Sequence, residues 1–527
     1  MPKDCIKCQF GKCKEHKKKK CKKNDKKVTI INGKDLKETF YITKSGIYRL
    51  NGDVEFNGNN LNGSPTPVIQ INANGVVLEL AGYHIKFSLN TSAVPNIKYS
   101  AIFVENSEEV EINNDSIESD DDTFDSIGIR ILNSKKVNVQ NVLVNGFNIG
   151  ISVESSDDVT VNNSHLINSI STVLASQASR NVNVSNNVLG KSIDTSEIFS
   201  LAGLFVVESK NFVIENSQLF NADLFAPSCD NIVIKNNQFV MENCPEFIYG
   251  QLQLGQSQPI DALGVTWPAG LVNSAIVEGN TFYANNNEPL STKNIIVNVA
   301  TNVLIKCNTL SNDAHGICNP IKSEAVFDDD GNFDPVNSKD PVAANIIVGH
   351  EWTSGNLSRV SGVSILNNVM GGVTRNVNGS FETFRVGYGI LVLGDLLIEN
   401  EEETISINNG VRIEGNTITK AIKHGIHNNY VTGITIKNNS IDDVVCPLLQ
   451  ANNCNECIEE SCQCCFGTAV FVALNATQVM VQDNNISNVS RGVVLDGNVN
   501  VVKDNIILAA DDDVVNNGVD NIVIGNV

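Results

Sequence analysis

Along most of this chain valine and isoleucine alternate with polar residues, and the alternation stops again and again at asparagine. Val137-Asn-Val-Gln-Asn, Val182-Asn-Val-Ser-Asn-Asn, Ile232-Val-Ile-Lys-Asn-Asn, Val411-Arg-Ile-Glu-Gly-Asn and Ile434-Thr-Ile-Lys-Asn-Asn are versions of one phrase. A two-residue period of β-branched and polar side chains is strand periodicity, with one face turned inward. The closest copies recur every ~20–23 residues, which is a solenoid spacing. A unit of that size cannot bury its apolar face alone and must stack on its neighbours.

Apolar anchors fall near Val76, Val110, Val137, Val159, Val182, Phe212, Ile232, Ala275, Val303, Val363, Val411, Ile434, Val479, Val499 and Ile522, which predicts about fifteen rungs. Many rungs carry an earlier strand that opens on a small residue and a hydrophobe, as in Gly128-Ile-Arg-Ile-Leu, Gly150-Ile-Ser-Val, Gly203-Leu-Phe-Val-Val, Gly389-Ile-Leu-Val-Leu and Gly492-Val-Val-Leu. Two or three short strands per coil, joined by tight bends, predict an all-β fold, a parallel β-helix solenoid. At about 4.8 Å per rung it is a rod roughly 70 Å long. The asparagines suit its corners, because they tolerate left-handed backbone, bond nearby peptide groups and, when stacked, bond one another. Asn186-Asn187, Asn236-Asn237, Asn367-Asn368 and Asn438-Asn439 are therefore read as turns and ladders.

The expected organisation is a flexible basic Cys/Lys-rich tail over 1–27, a lead-in and cap over 28–75, and the β-helix over 76–527. The period breaks near 241–270, 311–360, 371–405 and 446–467. Loops of such length are usually functional or disordered, and on a solenoid they tend to leave from one binding face. They hold both tryptophans, Trp267 and Trp352, together with His350, Glu351, Arg359, Arg375 and Arg385. These are the candidates for binding a glycan or a protein surface.

Charge divides the chain. Of the net −21, residues 1–27 hold twelve lysines against Asp4, Glu15 and Asp25, a local +9, which leaves −30 for the remainder. An acidic rod with a basic tail predicts a polyanion, nucleic acid included, as a partner of the tail. No apolar run approaches the ~18 residues of a membrane span. The start, Met1-Pro-Lys-Asp-Cys, has no secretory signal, so synthesis in the cytoplasm is expected. The fourteen cysteines are then thiols or metal ligands, unless the protein matures in an oxidising particle such as a virion.

With its strand pattern and asparagine corners over about residues 40–527, the chain resembles the right-handed parallel β-helix, or pectin-lyase-like, superfamily, in the Asn-rich style of giant DNA viruses. That resemblance implies a right-handed coil and, among its members, polysaccharide lyases, polygalacturonases, epimerases and tailspikes. Fold does not carry activity, and the catalytic motifs are incomplete. Asp157-Asp158 and Lys423-His424-Gly425 echo parts of the polygalacturonase set, but Arg412-Ile413 is followed by Glu414 and precedes the His-Gly pair. The best candidate for chemistry joins His424 and His427 to Asp442 and Asp443, about one period on, as general acid and base. Asp328, Asp330 and Asp334 around Gly331 offer oxygens to calcium without the spacing of an EF-hand.

The tail holds Cys5, Cys8, Cys13, His16 and Cys21, enough soft donors for a zinc site with one to spare. A second cluster, Cys454, Cys457, Cys462, Cys464 and Cys465, is read as a zinc- or disulfide-stapled insertion. The last strand, Ile522-Val-Ile-Gly-Asn-Val527, leads to an expectation of self-association through the terminal rung. Three functions follow. The first is a structural or adhesive rod, surface- or virion-associated, that binds glycan or protein through its insertions. The second is a carbohydrate-active enzyme of lyase, hydrolase or epimerase type. The third is a nucleic-acid-associated protein acting through the tail. The missing catalytic sets favour the first.

Overall fold

One turn near the middle of the chain shows how the alternation becomes a coil. Asp157–Asn162, His165–Ile167 and Thr172–Gln177 are three short strands, and Arg180–Ser185 then returns directly onto the first of them. The register places Val182 on Val159 and Val184 on Val161, all almost wholly buried, while Thr160 and Asn183 face outward. Each strand pairs in parallel with the strand one turn away, so three strand columns run the length of the molecule in one continuous parallel sheet. The protein is a right-handed parallel β-helix. Right-handed crossover is the rule for parallel strands. The structure is a computed structural model that describes residues 27–57, 66–88, 99–119, 126–169, 171–190, 203–242, 250–256, 260–262, 265–267, 269–285, 293–312, 324–327, 333–339, 344–349, 360–377, 380–399, 402–406, 408–445 and 467–527.

Every anchor named above lies in the coil, but Val499 stands 52% exposed at a left-handed corner, with φ 59°, and the inward place beside it is taken by Asn500. Two further turns, Val28–Ile31 and Gly46–Leu50, precede the one at Val76 and pair with it in the same parallel sense. The lead-in is thus more coil, and its alternation was hidden because its strands are short and interrupted by Gly46 and Gly52. At the other end Ile522–Ile524 pairs with Val501–Lys503, and its side chains are exposed.

The corner after the first column has a two-residue rule. The first residue takes the left-handed conformation, as Asn186, Asn236, Asn367, Asn438, Asp483 and Asp504 do with φ between 54° and 56°. The second is an inward asparagine. From Asn237 the side-chain amides run unbroken through Asn280, Asn308, Asn368, Asn416, Asn439, Asn484 and Asn505 to Asn526, with Nδ2 of each donating to Oδ1 of the next at 2.9–3.1 Å. Each Oδ1 also accepts the backbone N–H of the asparagine one turn earlier, for example Asn368 N–H to Asn416 Oδ1 at 2.9 Å. Each Nδ2 also reaches a carbonyl, as Asn416 does to Ile365 at 2.9 Å. The ladder satisfies buried peptide groups that the turn leaves out of the sheet. Serines serve the corner before the first column: the N–H of Ser134 meets Ser156 Oγ at 3.0 Å, and that of Ser156 meets Ser179 Oγ at 3.2 Å.

Cys307 takes the left-handed place ahead of Asn308, with φ 55°, and is exposed. A residue in that place faces out because its successor faces in. Cys229, by contrast, packs in the core, where burial pushes its thiol up to about 12 and leaves it unreactive.

Candidate functional site

The interruptions of the coil all fall beside the third column. Its strands Leu252–Leu254, Lys293–Val297, Ala344–Val348 and Val386–Leu393 stack in register, followed by the His424–Asn429 end of Thr417–Asn429 and then by Thr468–Val472. The four breaks in the sequence period adjoin the ends of these strands. Four antiparallel hairpins branch off there: Ile260–Ala262 with Val265–Trp267, Glu324–Phe327 with Phe333–Lys339, Val373–Val377 with Ser380–Phe384, and Asp395–Glu399 with Glu402–Ser406.

The outer face of this column is unlike the rest of the exterior. Residues opposite the core positions, Phe225, Ile296, Ile347, Leu391 and Val494, point away from the coil yet are 1–6% exposed. Ile296, Ala344, Ile347, Leu391 and Leu393 form an apolar cluster of their own, separate from the main core, with Tyr388 packed against it. The apolar strip continues as a group of rings. His424 stacks on Phe471 with centroids 4.8 Å apart and planes at 15°, and His427 lies 5.0 Å from His424 and 5.1 Å from Phe471. Tyr388 meets His424 at 5.7 Å and His427 edge-on at 5.8 Å, and the Lys423 ammonium sits 5.6 Å from the Tyr388 ring.

Gly389 and Gly425 make this packing reachable. A Cβ on Gly389 would lie 2.5 Å from Ile418 Cγ2 and 2.6 Å from the carbonyl oxygen of Gly425, and one on Gly425 would meet Ala469 O and Ile441 Cγ2 at 2.7 Å. The small residue lets the chain turn the corner tightly, so the residue before it and the residue two after it both face outward. Tyr388, His424, Thr468 and Arg491 form one outward column, and Leu391, His427, Phe471 and Val494 the next. The sequence pattern of a small residue followed by a hydrophobe therefore held the register needed to find Tyr388 and Phe471, which were missed because only the interior of that pattern was used.

Burial drives both imidazoles toward the neutral form. His427 is pushed down to about 4 by desolvation and then by the Lys423 charge. His424 is held well below its ordinary value by burial, then by His427 and Lys423. Nδ1 of both rings, both amide atoms of Asn428 and Oδ1 of Asn429 are buried with no hydrogen-bond partner among the described residues. Asn428 faces the core beside Val392 and Val472, whereas the two imidazoles lie on the outer face, where an unpaired buried group costs stability unless water or a ligand meets it.

The structure brings the two histidines together but not with the carboxylates. Asp442 pairs in register with Thr419 and not with His424, whose partner one turn up is Thr468. Both aspartates lie in the second column, a corner away. Asp442 accepts from Ser487 Oγ and Asn488 Nδ2, each at 2.7 Å. Asp443 holds Arg385, whose Nη2 donates to its Oδ1 at 2.7 Å and whose Nη1 donates to its carbonyl at 2.8 Å. Arg385 is thus a latch between a hairpin and a strand two turns on. Counting one repeat aligned the wrong halves of two turns, because the strand Thr417–Asn429 spans two columns. Asp157 and Asp158 form a corner, each accepting from Asn181 Nδ2 at 2.9 Å, and Arg412 is paired with Glu414.

The other candidates are not gathered by what is described. Trp267, Arg375 and Asp334 lie in hairpin strands whose backbones alone are described. His350, Glu351, Trp352, Arg359, Asp328 and Asp330 lie outside the described residues, as do Cys5, Cys8, Cys13, His16 and Cys21 of the tail and Cys454, Cys457, Cys462, Cys464 and Cys465. Among the described residues no set of three or more His, Cys, Asp or Glu is placed to hold a metal ion.

No protein-family model matches the chain, and no curated protein is similar to it in sequence. Solved β-helix structures do superpose weakly. A mutant tailspike protein of E. coli bacteriophage HK620 in complex with hexasaccharide is 11% identical over 87% of this chain and 71% of its own, with a TM-score of 0.45. The A-module of the Azotobacter vinelandii mannuronan C-5 epimerase AlgE4 is 12% identical over 77% and 87%, with a TM-score of 0.37. PfbA, a surface adhesin of Streptococcus pneumoniae, is 14% identical over 79% and 81%, at 0.35. The strand pairing itself carries the fold.

Proposed function

We propose that this protein is a stiff binding rod, structural or adhesive and surface- or virion-associated, that holds a glycan on the outer face of its third column. One observation carries the reading. Every long interruption adjoins a single strand column, and the outer face of that column bears a ring cluster of Tyr388, His424, His427 and Phe471 instead of the charged and amide side chains found elsewhere outside. Aromatic faces suit the apolar C–H side of a pyranose, and neutral imidazoles exchange hydrogen bonds with its hydroxyls at no cost in charge burial. A coil stapled by its ladder keeps those rings in place before binding, which limits the ordering cost. The basic tail is proposed to bind a polyanion separately.

The test is a glycan panel probed with the full chain, with Phe471→Ala and Tyr388→Ala compared. Loss of about tenfold in affinity, for ring truncations worth at least 1.4 kcal/mol, is the expected outcome. Binding unchanged in both variants, with the coil intact by circular dichroism, would remove the reading.

A further inference from the structure

At the opposite end of the coil a pocket of about 480 Å³ opens where the first column meets its corner, lined by Ile30, Arg49, Asn51, Glu79, Tyr83 and Asn114 among others. We infer that this pocket is a second binding site, for a neutral sugar, and that it is independent of the ring cluster on the third column. The lining selects the ligand class. Arg49 Nε donates to Glu79 Oε2 at 2.6 Å, so the two charges neutralise one another across adjacent turns, and both side chains stay partly open to solvent. That single bond leaves most of the donors of the guanidinium and one oxygen of the carboxylate facing outward. Asn51 and Asn114 are exposed and add amides that both donate and accept; Asn114 spends Nδ2 on Asn113 Oδ1 at 3.1 Å and keeps its own oxygen. Tyr83 supplies an aromatic face, half-buried against the core.

A donor-only group, an acceptor-only group and two amides around an aromatic ring match vicinal hydroxyls, each of which donates and accepts, on a ring with an apolar face. An anion would need a cation not already paired, and a hard metal ion would need several oxygens where only one carboxylate is present. An apolar ligand would strand the polar lining.

The pocket is also fixed in advance. Leu80 O accepts the N–H of Tyr83 at 3.1 Å across a turn whose Ala81 and Gly82 are left-handed, with φ 58° and 86°. His84, next in the chain, gives its N–H to Asp53 Oδ1 at 3.0 Å one turn below. Its Nδ1 meets Ser116 Oγ and, at 3.7 Å, Asp115 Oδ1 one turn above. Serine and aspartate from the turn above meet the same ring nitrogen, so the residue ties its own turn to both neighbours. It holds Tyr83 between three turns of the coil. Asp115 keeps φ 129°, a conformation normally left to glycine, beside the pocket-lining Asn114.

The experiment is saturation-transfer NMR and titration of the full chain with short neutral oligosaccharides of glucose, galactose, mannose and N-acetylglucosamine, alongside longer polymers of the same sugars and acidic oligosaccharides. The first comparison separates a terminal unit from an internal one as the occupant. Glu79→Gln, which keeps shape and removes the acceptor charge, and Tyr83→Ala are each expected to weaken neutral-sugar binding by about tenfold. Phe471→Ala, which weakens binding at the third column, is expected to leave unchanged the chemical-shift changes that sugar titration causes at Tyr83 and Asn51. If Tyr83→Ala fails to fold, Glu79→Gln and Asn51→Ala decide. The proposal is overturned if no neutral sugar binds, if only acidic sugars bind, or if the folded pocket variants bind as the parent does. Loss of neutral-sugar binding in Phe471→Ala alone would assign the sugar to the third column and also overturn it.

Discussion

The turns between Lys135 and Lys235 and those between Leu252 and Val472 share one interior and differ outside. Inside, both stretches stack Val and Ile in register and close the same corner with a left-handed residue and an inward amide or hydroxyl. Outside, the earlier turns carry mainly polar side chains, such as the part-buried Arg130–Glu154 pair at 2.8 Å and the exposed Asn181–Asn211–Asn231 row, and the apolar exterior begins only at their end, where Phe205 stacks on Phe225. The later turns bury Ile296, Ile347 and Leu391 on the exterior and place neutral histidines beside them. A solenoid satisfies its folding requirements with the inward half of each strand, so the outward half is left to carry function, and the two halves change independently.

Acid should separate the two regions most. Both histidines have folded-state values below the unfolded 6.5, so between about 6.5 and 4 the unfolded chain binds more protons and stability falls as pH falls. The contribution is fully present above 6.5, and each ring removes up to about 1.4 kcal/mol per pH unit within that window. Hydrogen exchange followed from pH 7 to 4.5 should show the turns around Thr417–Val472 opening before those around Lys135–Lys235. His427→Gln should flatten that difference, and equal opening of both regions would show that the exterior histidines are not coupled to the coil.

The ladder should treat both regions alike. Asn416→Ala leaves Asn368 N–H and Ile365 C=O without their partners in an enclosed corner, a loss of about 3 kcal/mol. Asn237→Ala, which strands Ser217 N–H and Ile214 C=O, should cost the same within about 1 kcal/mol. Urea midpoints of the two variants check it, and a large difference would mean that the interior is not uniform.

How much of this could be read beforehand follows from the same division. Strand alternation, corners and the rungs from Val76 onward were legible because each inward residue is fixed by a local rule that repeats. The ladder was legible at pairs such as Asn367-Asn368 for the same reason. The surroundings of the candidate site were only half legible. His424 and His427 stood out as rare titratable residues, but their neighbours Tyr388 and Phe471 lie 36 and 44 positions away in register, at outward positions that no repeat constrains. The pairing with Asp442 failed because a period gives the height along the rod and not the column. The N-terminal pocket was not legible at all, since Arg49, Glu79 and Tyr83 look like ordinary surface residues until three turns are stacked.

Outward substitutions should sort the regions at smaller scale. Ile347→Ala removes a buried exterior side chain and should cost about 2–3 kcal/mol, as a core position would. Val213→Ala, outward and half-buried on the first column, should cost under about 1 kcal/mol. Thermal unfolding of the two variants measures the gap, and equal costs would mean that the apolar strip of the third column contributes nothing beyond an ordinary surface.

The smallest effect tests whether the exposed amide row is structural. Asn211 donates from Nδ2 to Asn181 Oδ1 at 2.9 Å and accepts from Asn231 Nδ2 at 3.1 Å, in solvent, with φ 57°. Two effects are combined there, and glycine separates them. Asn211→Ala keeps a Cβ in left-handed backbone without the amide that makes asparagine tolerate it and should cost about 1 kcal/mol, whereas Asn211→Gly accepts that backbone freely and loses only amide contacts that water replaces, a few tenths of a kcal/mol. If Asn211→Gly proved as damaging as Asn237→Ala, the outer row would bear load like the inner one, and the exterior of the plain turns would not be free to vary.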